Sequence, residues 1–244
     1  MRDTDPHILV VDDDPGIRLH LSRSLAAAGY AVTVAADGGS VLRTVVQAPP
    51  SLLLLDLDAL NAESLALIDA IRRLSVLPVI GLSATTDGEL AAQALERGAD
   101  DVVRKPFALR ELLARIRNTL RRAAAGRGEV IAVHSADLEI DLLDRVIRAQ
   151  GRLVRLSRIE FAVLRRLVQA DGAALSHRQL LEAVWGTERV DRLSYLRVAI
   201  RALRRKIESN PQRPRHILTE PGIGYRLEMP LGKAGTGDRK GTMP

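Results

Sequence analysis

The sequence predicts an α/β domain built on a doubly wound five-stranded parallel sheet, followed by a smaller α+β domain. Three observations carry this. Residues 7–122 alternate short apolar runs with helical patterns, the grammar of repeated βα units. Three of those runs are nearly continuous in apolar residues, as parallel strands buried on both faces must be. After residue 128 the pattern changes to closely spaced short strands, three amphipathic helices and a terminal hairpin.

In the first domain, residues 1–122, strands are expected at 7–11, 31–35, 51–56, 78–83 and 101–105. Between and after them, helical spacing runs over 17–28, 40–47, 65–74, 89–97 and 109–122. Gly29 and Gly98 stand just past two of these helices, and Pro49 and Pro50 past a third; both residue types are stop signals. Residues 123–128 carry no core pattern and are expected to be a linker.

The second domain, 129–230, starts with strands near 130–134, 137–142, 145–149 and 152–156, with Gly151 in the last turn. Helices are expected at 158–170, 177–184 and 193–208. Ser157 and Ser176 are natural N-caps, and Ser157 with Glu160 has capping-box spacing. Residues 217–227 read as a β-hairpin. Residues 231–244, rich in Gly and basic residues, are expected to be a disordered tail.

Composition narrows the function classes. Cysteine is absent, which excludes disulfides and thiolate metal sites and fits a reducing, cytoplasmic setting. The polar N-terminus has no signal-peptide core behind it, and no apolar run reaches the roughly 18 residues of a membrane span. Charge is divided unevenly. Residues 1–122 hold 14 Lys/Arg against 16 Asp/Glu, whereas residues 129–230 hold 18 against 13. An acidic half and a basic half suggest different tasks, with nucleic acid a candidate partner of the basic half.

The chemistry concentrates at strand ends. The run His7–Val11 ends in Asp12, Asp13 and Asp14; Ser51–Leu55 ends in Asp56; Pro78–Leu82 ends in Ser83; Asp101–Arg104 ends in Lys105. If these runs are neighbouring parallel strands, the polar groups converge at the carboxyl edge of one sheet, where open α/β sheets place ligands. Carboxylates, a hydroxyl and an ammonium suit a divalent metal and a phosphoryl group. Mg²⁺ prefers one or two carboxylates plus phosphate oxygens and water, and an aspartate can be a nucleophile toward phosphorus. The bland alternative, that Asp12–Asp14 only cap the helix near Pro15, suits one aspartate and leaves Asp56 and Lys105 unexplained.

This set resembles a two-component receiver domain, of the flavodoxin/CheY-like fold: Asp12-Asp13 after the first strand, Asp56 after the third, Ser83-Ala84 after the fourth, Lys105-Pro106-Phe107 after the fifth, and Gly98–Asp101. The resemblance implies that Asp56 accepts phosphate from a cognate sensor histidine kinase. It implies too that Asp12, Asp13 and Asp56 hold Mg²⁺, and that Ser83 and Lys105 sense the phosphoryl group. The Lys105–Pro106 bond is typically cis in such domains. Four positions depart from the pattern. Leu60 and Ser64 replace the usual Pro and Gly after the phosphorylated aspartate, Val102 replaces the aromatic that rotates on activation, and Asp58 adds a carboxylate beside the site. Receivers of this kind pair through the fourth helix, fifth strand and fifth helix. Asp100, Asp101, Glu111 and Arg115 stand at matching positions, while the basic partner usually facing Glu111 is replaced by Ala91.

In the second domain, residues 192–206 contain Arg192, Arg197, Arg201, Arg204, Arg205 and Lys206 and no acid. Leu193, Leu196, Ile200, Leu203 and Ile207 recur at helical spacing and form one core stripe. The opposite face carries Ser194, Arg197, Val198, Arg201 and Arg205, a cationic surface suited to a DNA major groove. A preceding helix and a following Gly222–Arg226 hairpin make a winged helix-turn-helix arrangement, in which Arg226 can reach a minor groove or a phosphate. Ile159–Phe161, Gln179–Gly186, Arg204–Ile207 and Gly222–Arg226 resemble the effector domain of OmpR/PhoB response regulators. Within that family, Tyr195–Arg197 and Pro214–Arg226 are most similar to the Kdp potassium-transport regulators. The resemblance implies a homodimer on direct repeats in double-stranded DNA, working with RNA polymerase.

The leading expectation is a phosphorylation-controlled DNA-binding transcription regulator. An orphan regulator with a degenerate receiver used only for dimerisation is the alternative; Leu60, Ser64 and Val102 favour it and the intact acidic set opposes it. A metal-dependent phosphotransferase or phosphatase enzyme is disfavoured, since the sequence shows no obvious acid/base partner beside Asp56 and no substrate cap.

Overall fold

The computed structural model describes residues 5–58, 62–85, 88–187 and 193–229; Leu60, Arg192 and the 231–244 tail lie outside them. The chain divides into two compact units at Glu129/Val130.

The first unit alternates β1 (His7–Val11), α1 (Pro15–Ala27), β2 (Ala31–Ala35), α2 (Gly38–Gln47), β3 (Leu52–Asp56), α3 (Ala62–Leu74), β4 (Val79–Ser83), α4 (Glu89–Glu96), β5 (Asp101–Arg104) and α5 (Leu109–Gly126). The five strands form one parallel sheet in the order β2-β1-β3-β4-β5. β3 and β4 are buried along their whole length and β1 along all but its first residue, which is why their sequences run apolar without alternation. β2 lies at an edge and exposes three of its five residues. β4 passes close under Leu57: a Cβ at Gly81 would stand 2.7 Å from Leu57 Cδ1 and would push that side chain aside. The Lys105–Pro106 peptide is cis.

The expected linker is partly helix. Ala123–Gly126 complete α5, and Ala124 is buried. Alanine has the highest helix propensity, and a buried contact holds the turn where no core periodicity announced it.

The second unit begins with an antiparallel sheet of β6 (Ala132–His134), β7 (Leu138–Asp141), β8 (Val146–Ala149) and β9 (Arg152–Leu153), in sequence order. Gln150 and Gly151 both take positive φ between β8 and β9, as a tight hairpin turn requires. β9 is shorter than the expected 152–156. Then come α6 (Arg158–Gln169), β10 (Leu175–Ser176), α7 (His177–Trp185), α8 (Leu193–Ile207), β11 (Ile217–Glu220) and β12 (Gly224–Leu227). Ser157 and Ser176 each form a full capping box, with Glu160 and Gln179.

β10 escapes sequence reading because two residues show no alternation. It pairs with β12, Ser176 opposite Gly224, so the three-stranded sheet runs β10-β12-β11. The approach is so close that a Cβ on Gly224 would meet Leu175 O at 2.0 Å. One apolar core, including Phe161, Leu180, Leu196, Ile200, Leu203 and Tyr225, joins the helices to the hairpin.

Candidate functional site

Because β1, β3, β4 and β5 lie side by side and in register, their carboxyl ends gather Asp12, Asp13, Asp56, Ser83 and Lys105 at one edge of the sheet. Asp12, Asp56 and Ser83 are buried, while Asp13 is exposed. Asp14 is the helix cap: its Oδ1 accepts from Gly16 N at 2.6 Å and Ile17 N at 3.2 Å. Capping therefore uses one aspartate of the run and leaves two.

One carboxylate oxygen from each of Asp12, Asp13 and Asp56 lies within 4.8 Å of the others. Lys105 Nζ stands 2.6 Å from Asp56 Oδ2 and 3.5 Å from Asp12 Oδ2. Asp14 N donates to Asp12 Oδ1 at 2.8 Å, and Asp58 N to Asp56 Oδ1 at 3.1 Å. Asp12 Oδ2 is buried and accepts no hydrogen bond. Burial, together with the Asp56 charge, raises the Asp12 pKa above the ordinary carboxylate value despite the Asp14 N–H. Burial also works against the Lys105 ammonium, but Asp56, Asp12 and Asp58 outweigh it and raise the lysine pKa. A buried carboxylate oxygen that accepts no hydrogen bond, next to two more carboxylates, fits a hard cation with oxygen ligands such as Mg²⁺.

Two departures from the receiver pattern have structural accounts. Ser64 is fully buried, and its hydroxyl donates to Leu57 O at 3.0 Å, so the extra polar group is satisfied locally. The Asp58 carboxylate lies across the Ser83 end of β4. It accepts from Ser83 Oγ at 3.2 Å, Ala84 N at 2.5 Å and Thr85 Oγ1 at 3.0 Å. Val102 is half-buried and packs against the sheet core.

The four residues matched to a dimer face make contacts within the chain. Arg115 Nη1 donates to Asp101 Oδ2 at 3.0 Å, and Arg115 pairs with Glu111 at 3.0 Å; both pairs together raise the Arg115 pKa. Asp100 Oδ2 instead accepts from Arg72 Nη2 at 2.9 Å and Val79 N at 2.8 Å, tying β5 to α3 and the start of β4.

α8 separates its two faces as expected. Leu196, Ile200, Leu203 and Ile207 are buried, with Leu193 half-buried. Ser194, Arg197, Val198, Arg201 and Arg205 are exposed. The six basic residues of the segment do not act alike. Arg204 reaches the hairpin and donates to Ile217 O at 3.0 and 2.7 Å and to Thr219 Oγ1 at 2.9 Å. Lys206 pairs with Glu160 at 2.7 Å. Arg192 lies outside the described residues. Arg226, expected to reach a minor groove or a phosphate, sits between Glu220 and Glu228, at 2.5 Å from each. Strand alternation puts residues 226 and 228 on the same face, and pairing of the hairpin brings Glu220 diagonally opposite.

Comparison with known proteins gives the family. Residues 8–117 match the family described as "Response regulator receiver domain", and residues 150–227 match "Transcriptional regulatory protein, C terminal". The chain is 38% identical over 222 residues to "Transcriptional regulatory protein KdpE" of Mycobacterium tuberculosis H37Rv, covering 91% of this chain and 98% of that protein. It is 39% identical over 221 residues to "KDP operon transcriptional regulatory protein KdpE" of Escherichia coli K12, with the same two coverages.

The chain belongs to the OmpR/PhoB family of response regulators.

Among solved structures, the response regulator is similar to DrrB, an OmpR/PhoB homologue of Thermotoga maritima, at 28% identity and a TM-score of 0.42, covering 91% of this chain and 99% of that one. It is a two-component response regulator with a receiver and a DNA-binding transcription-regulator domain. Among the described residues, no helix is long and apolar enough to cross a membrane.

Sequence reasoning did not find three participants. The Ala84 N–H and the Thr85 hydroxyl join Ser83 in holding Asp58, and Arg204 is an internal clamp. The Ala84 N–H is invisible because backbone N–H groups carry no residue signature, and the Thr85 hydroxyl because nothing in the sequence tells which carboxylate it meets. Helical periodicity sets Arg204 apart from the exposed face of Arg201, but it does not name Ile217 O and Thr219 as the partners of Arg204.

Proposed function

We propose that this response regulator accepts a phosphoryl group on Asp56 from a sensor histidine kinase and thereby controls binding of duplex DNA through α8. The observation that carries the reading is the buried Asp56 carboxylate, which shares the Lys105 ammonium with Asp12, whose Oδ2 lies 3.5 Å from it and accepts no hydrogen bond. A carboxylate oxygen of Asp56 attacks phosphorus, the P–N bond of the kinase phosphohistidine breaks, and the imidazole leaves. Mg²⁺ held by Asp12, Asp13 and Asp56 would offset the anionic repulsion between nucleophile and donor. Lys105 follows the charge from the free carboxylate to the new phosphoryl oxygens as a point cation, and the Ser83 hydroxyl donates to another. The chain turns over no substrate of its own, so it acts as a regulator rather than an enzyme.

The DNA contacts in this reading are Ser194, Arg197, Val198, Arg201 and Arg205 in a major groove, with two copies on direct repeats. Arg226 is assigned to the integrity of the wing, where two carboxylates already hold it. The receivers pair through α4, β5 and α5, using Asp101, Glu111 and Arg115, whereas Asp100 serves the fold through Arg72. Contact with RNA polymerase and a cytoplasmic location complete the reading. An orphan regulator with an unphosphorylated receiver is the second reading, favoured by the Asp58 carboxylate on the Ser83, Ala84 and Thr85 donors.

Intact-mass analysis after incubation with Mg²⁺ and acetyl phosphate separates the two. One added phosphoryl group, acid-stable, base-labile and lost in Asp56→Asn, is the expected result. No added mass, or addition that survives Asp56→Asn, would replace it with the orphan reading.

A further inference from the structure

The donors available for a phosphoryl group on Asp56 are not waiting for one. Ser83 Oγ, Ala84 N and Thr85 Oγ1 all donate to the same side chain, Asp58, at 3.2, 2.5 and 3.0 Å. Both Asp58 oxygens are used, Oδ1 by the two hydroxyls and Oδ2 by the backbone N–H. Thr85 N in turn donates to Ser83 Oγ at 3.2 Å, so the serine hydroxyl is held as an acceptor on one side and a donor on the other. Asp58 N is itself bonded to Asp56 Oδ1 at 3.1 Å, which fixes this carboxylate two residues beyond the phosphoacceptor.

A carboxylate that takes three donors presents what a phosphoryl group presents: anionic oxygens separated by a little over two ångströms and hungry for charge-assisted hydrogen bonds. We propose that Asp58 is an internal ligand of the phosphoryl-binding donors, an autoinhibitory carboxylate that a phosphoryl group on Asp56 must displace from Ser83, Ala84 and Thr85. The proposal rests on Asp56 being the phosphoacceptor.

Two consequences follow from elementary electrostatics. Phosphoryl oxygens arriving beside Asp56 meet a second negative charge two residues away, and they gain no donors until Asp58 leaves. The chain therefore takes up phosphoryl groups more weakly than its other site residues allow. Secondly, Ser83, Ala84 and Thr85 already surround an anion in the unphosphorylated protein. Phosphorylation exchanges one anion for another there, so the segment after β4 is given little new reason to move.

The test uses the full chain with Mg²⁺, as the parent and as Asp58→Ala and Asp58→Asn. Beryllofluoride, a phosphoryl mimic, is titrated and followed by fluorine NMR, and the rate of phosphorylation by acetyl phosphate is read from intact mass. Removing the competing carboxylate is expected to tighten beryllofluoride and speed phosphorylation by about tenfold in Asp58→Ala, since charge-assisted hydrogen bonds and a like charge are both released. A second readout needs no phosphoryl chemistry. The Ala84 amide proton, bonded to a carboxylate at short range, resonates downfield in the parent and moves upfield in Asp58→Ala, with a smaller shift in Asp58→Asn. Equal phosphoryl uptake by parent and Asp58→Ala overturns the autoinhibitory role while leaving Asp56 as the acceptor. An Ala84 amide indifferent to Asp58→Ala overturns it as well. If neither protein binds beryllofluoride or gains mass, the reading of Asp56 fails and the proposal with it.

Discussion

Lys105 and Asp56 form an ion pair of 2.6 Å in which the same ammonium lies 3.5 Å from Asp12. One cation thus balances two carboxylates that come from different strands and would otherwise repel each other. The arrangement makes Lys105 a competitor for the oxygens that a metal would use.

Replacing Lys105 with Met removes that competition. Mg²⁺ affinity is expected to rise by about three- to tenfold, because the carboxylate group becomes more negative at close range. Phosphorylated protein should at the same time lose the lysine contact and a share of its response. Magnesium titration followed by backbone amide shifts reads the first effect; unchanged or weaker Mg²⁺ binding in Lys105→Met would show that the ammonium does not screen the site.

The arginines of α8 should separate into two classes. Arg197→Ala and Arg201→Ala, both on the exposed face, are expected to cost about 1–3 kcal/mol of specific DNA binding each if they read bases, with little effect on unfolding. Arg204→Ala should do the opposite first. It removes the hydrogen bonds to Ile217 O and Thr219 Oγ1, so a loss of about 1–3 kcal/mol of stability is expected. Fluorescence anisotropy on duplexes with direct repeats and thermal unfolding measure the two effects; an Arg201→Ala variant that binds like the parent would remove α8 from the groove.

Glu160 supplies a pH dependence in the second unit. Burial opposes its charge, but the Lys206 ammonium and the Ser157 N–H outweigh burial and lower its pKa. A carboxylate whose pKa is depressed by folding contributes stability above its unfolded value, about 4.3, and loses it as pH falls through the folded value. Glu160→Gln is therefore expected to be less stable than the parent at pH 7, by about 1 kcal/mol or more, with the gap closing below about pH 4. Urea unfolding followed by Trp185, the single tryptophan, reports on this unit directly. A gap that stays constant from pH 7 to pH 3 would show that the charge of Glu160 is not what stabilises the cap.

The receiver pairing should respond weakly to phosphorylation. Val102 is too small to swing as an aromatic does, and Ala91 offers Glu111 no basic partner. A modification shifts an equilibrium only by its differential interaction with the two states. The dimerisation constant is expected to change less than tenfold with beryllofluoride, which is under about 1.4 kcal/mol. Arg115→Glu should weaken the dimer, because it reverses the one positive charge among Asp101, Glu111 and Arg115 on the face assigned to pairing. Sedimentation with and without the mimic tests both; a monomer that becomes a full dimer at one concentration would show that Val102 and Ala91 leave the switch intact.

The fold of both units and the gathering of Asp12, Asp13, Asp56, Ser83 and Lys105 at one sheet edge were already written in the sequence. Continuous apolar strands can only be interior, and each polar residue at the end of such a strand must emerge at the same sheet edge, so Asp12, Asp56, Ser83 and Lys105 were legible from spacing alone. The core stripe of α8 was legible for the same reason, since helical periodicity separates a buried face from a wet one. The tertiary structure alone decided which partner each polar group takes. Asp14 rather than Asp12 caps α1, Asp58 turns to Ser83, Arg204 clamps the hairpin while Arg201 faces outward, and Arg226 is claimed by two glutamates. It also decided that Ala123–Gly126 finish a helix and that Leu175–Ser176 form a strand. These choices depend on groups distant in the chain meeting within hydrogen-bond range, and on backbone donors that carry no residue identity. Local pattern records the direction of a side chain relative to its own element, and only packing brings it the group it binds.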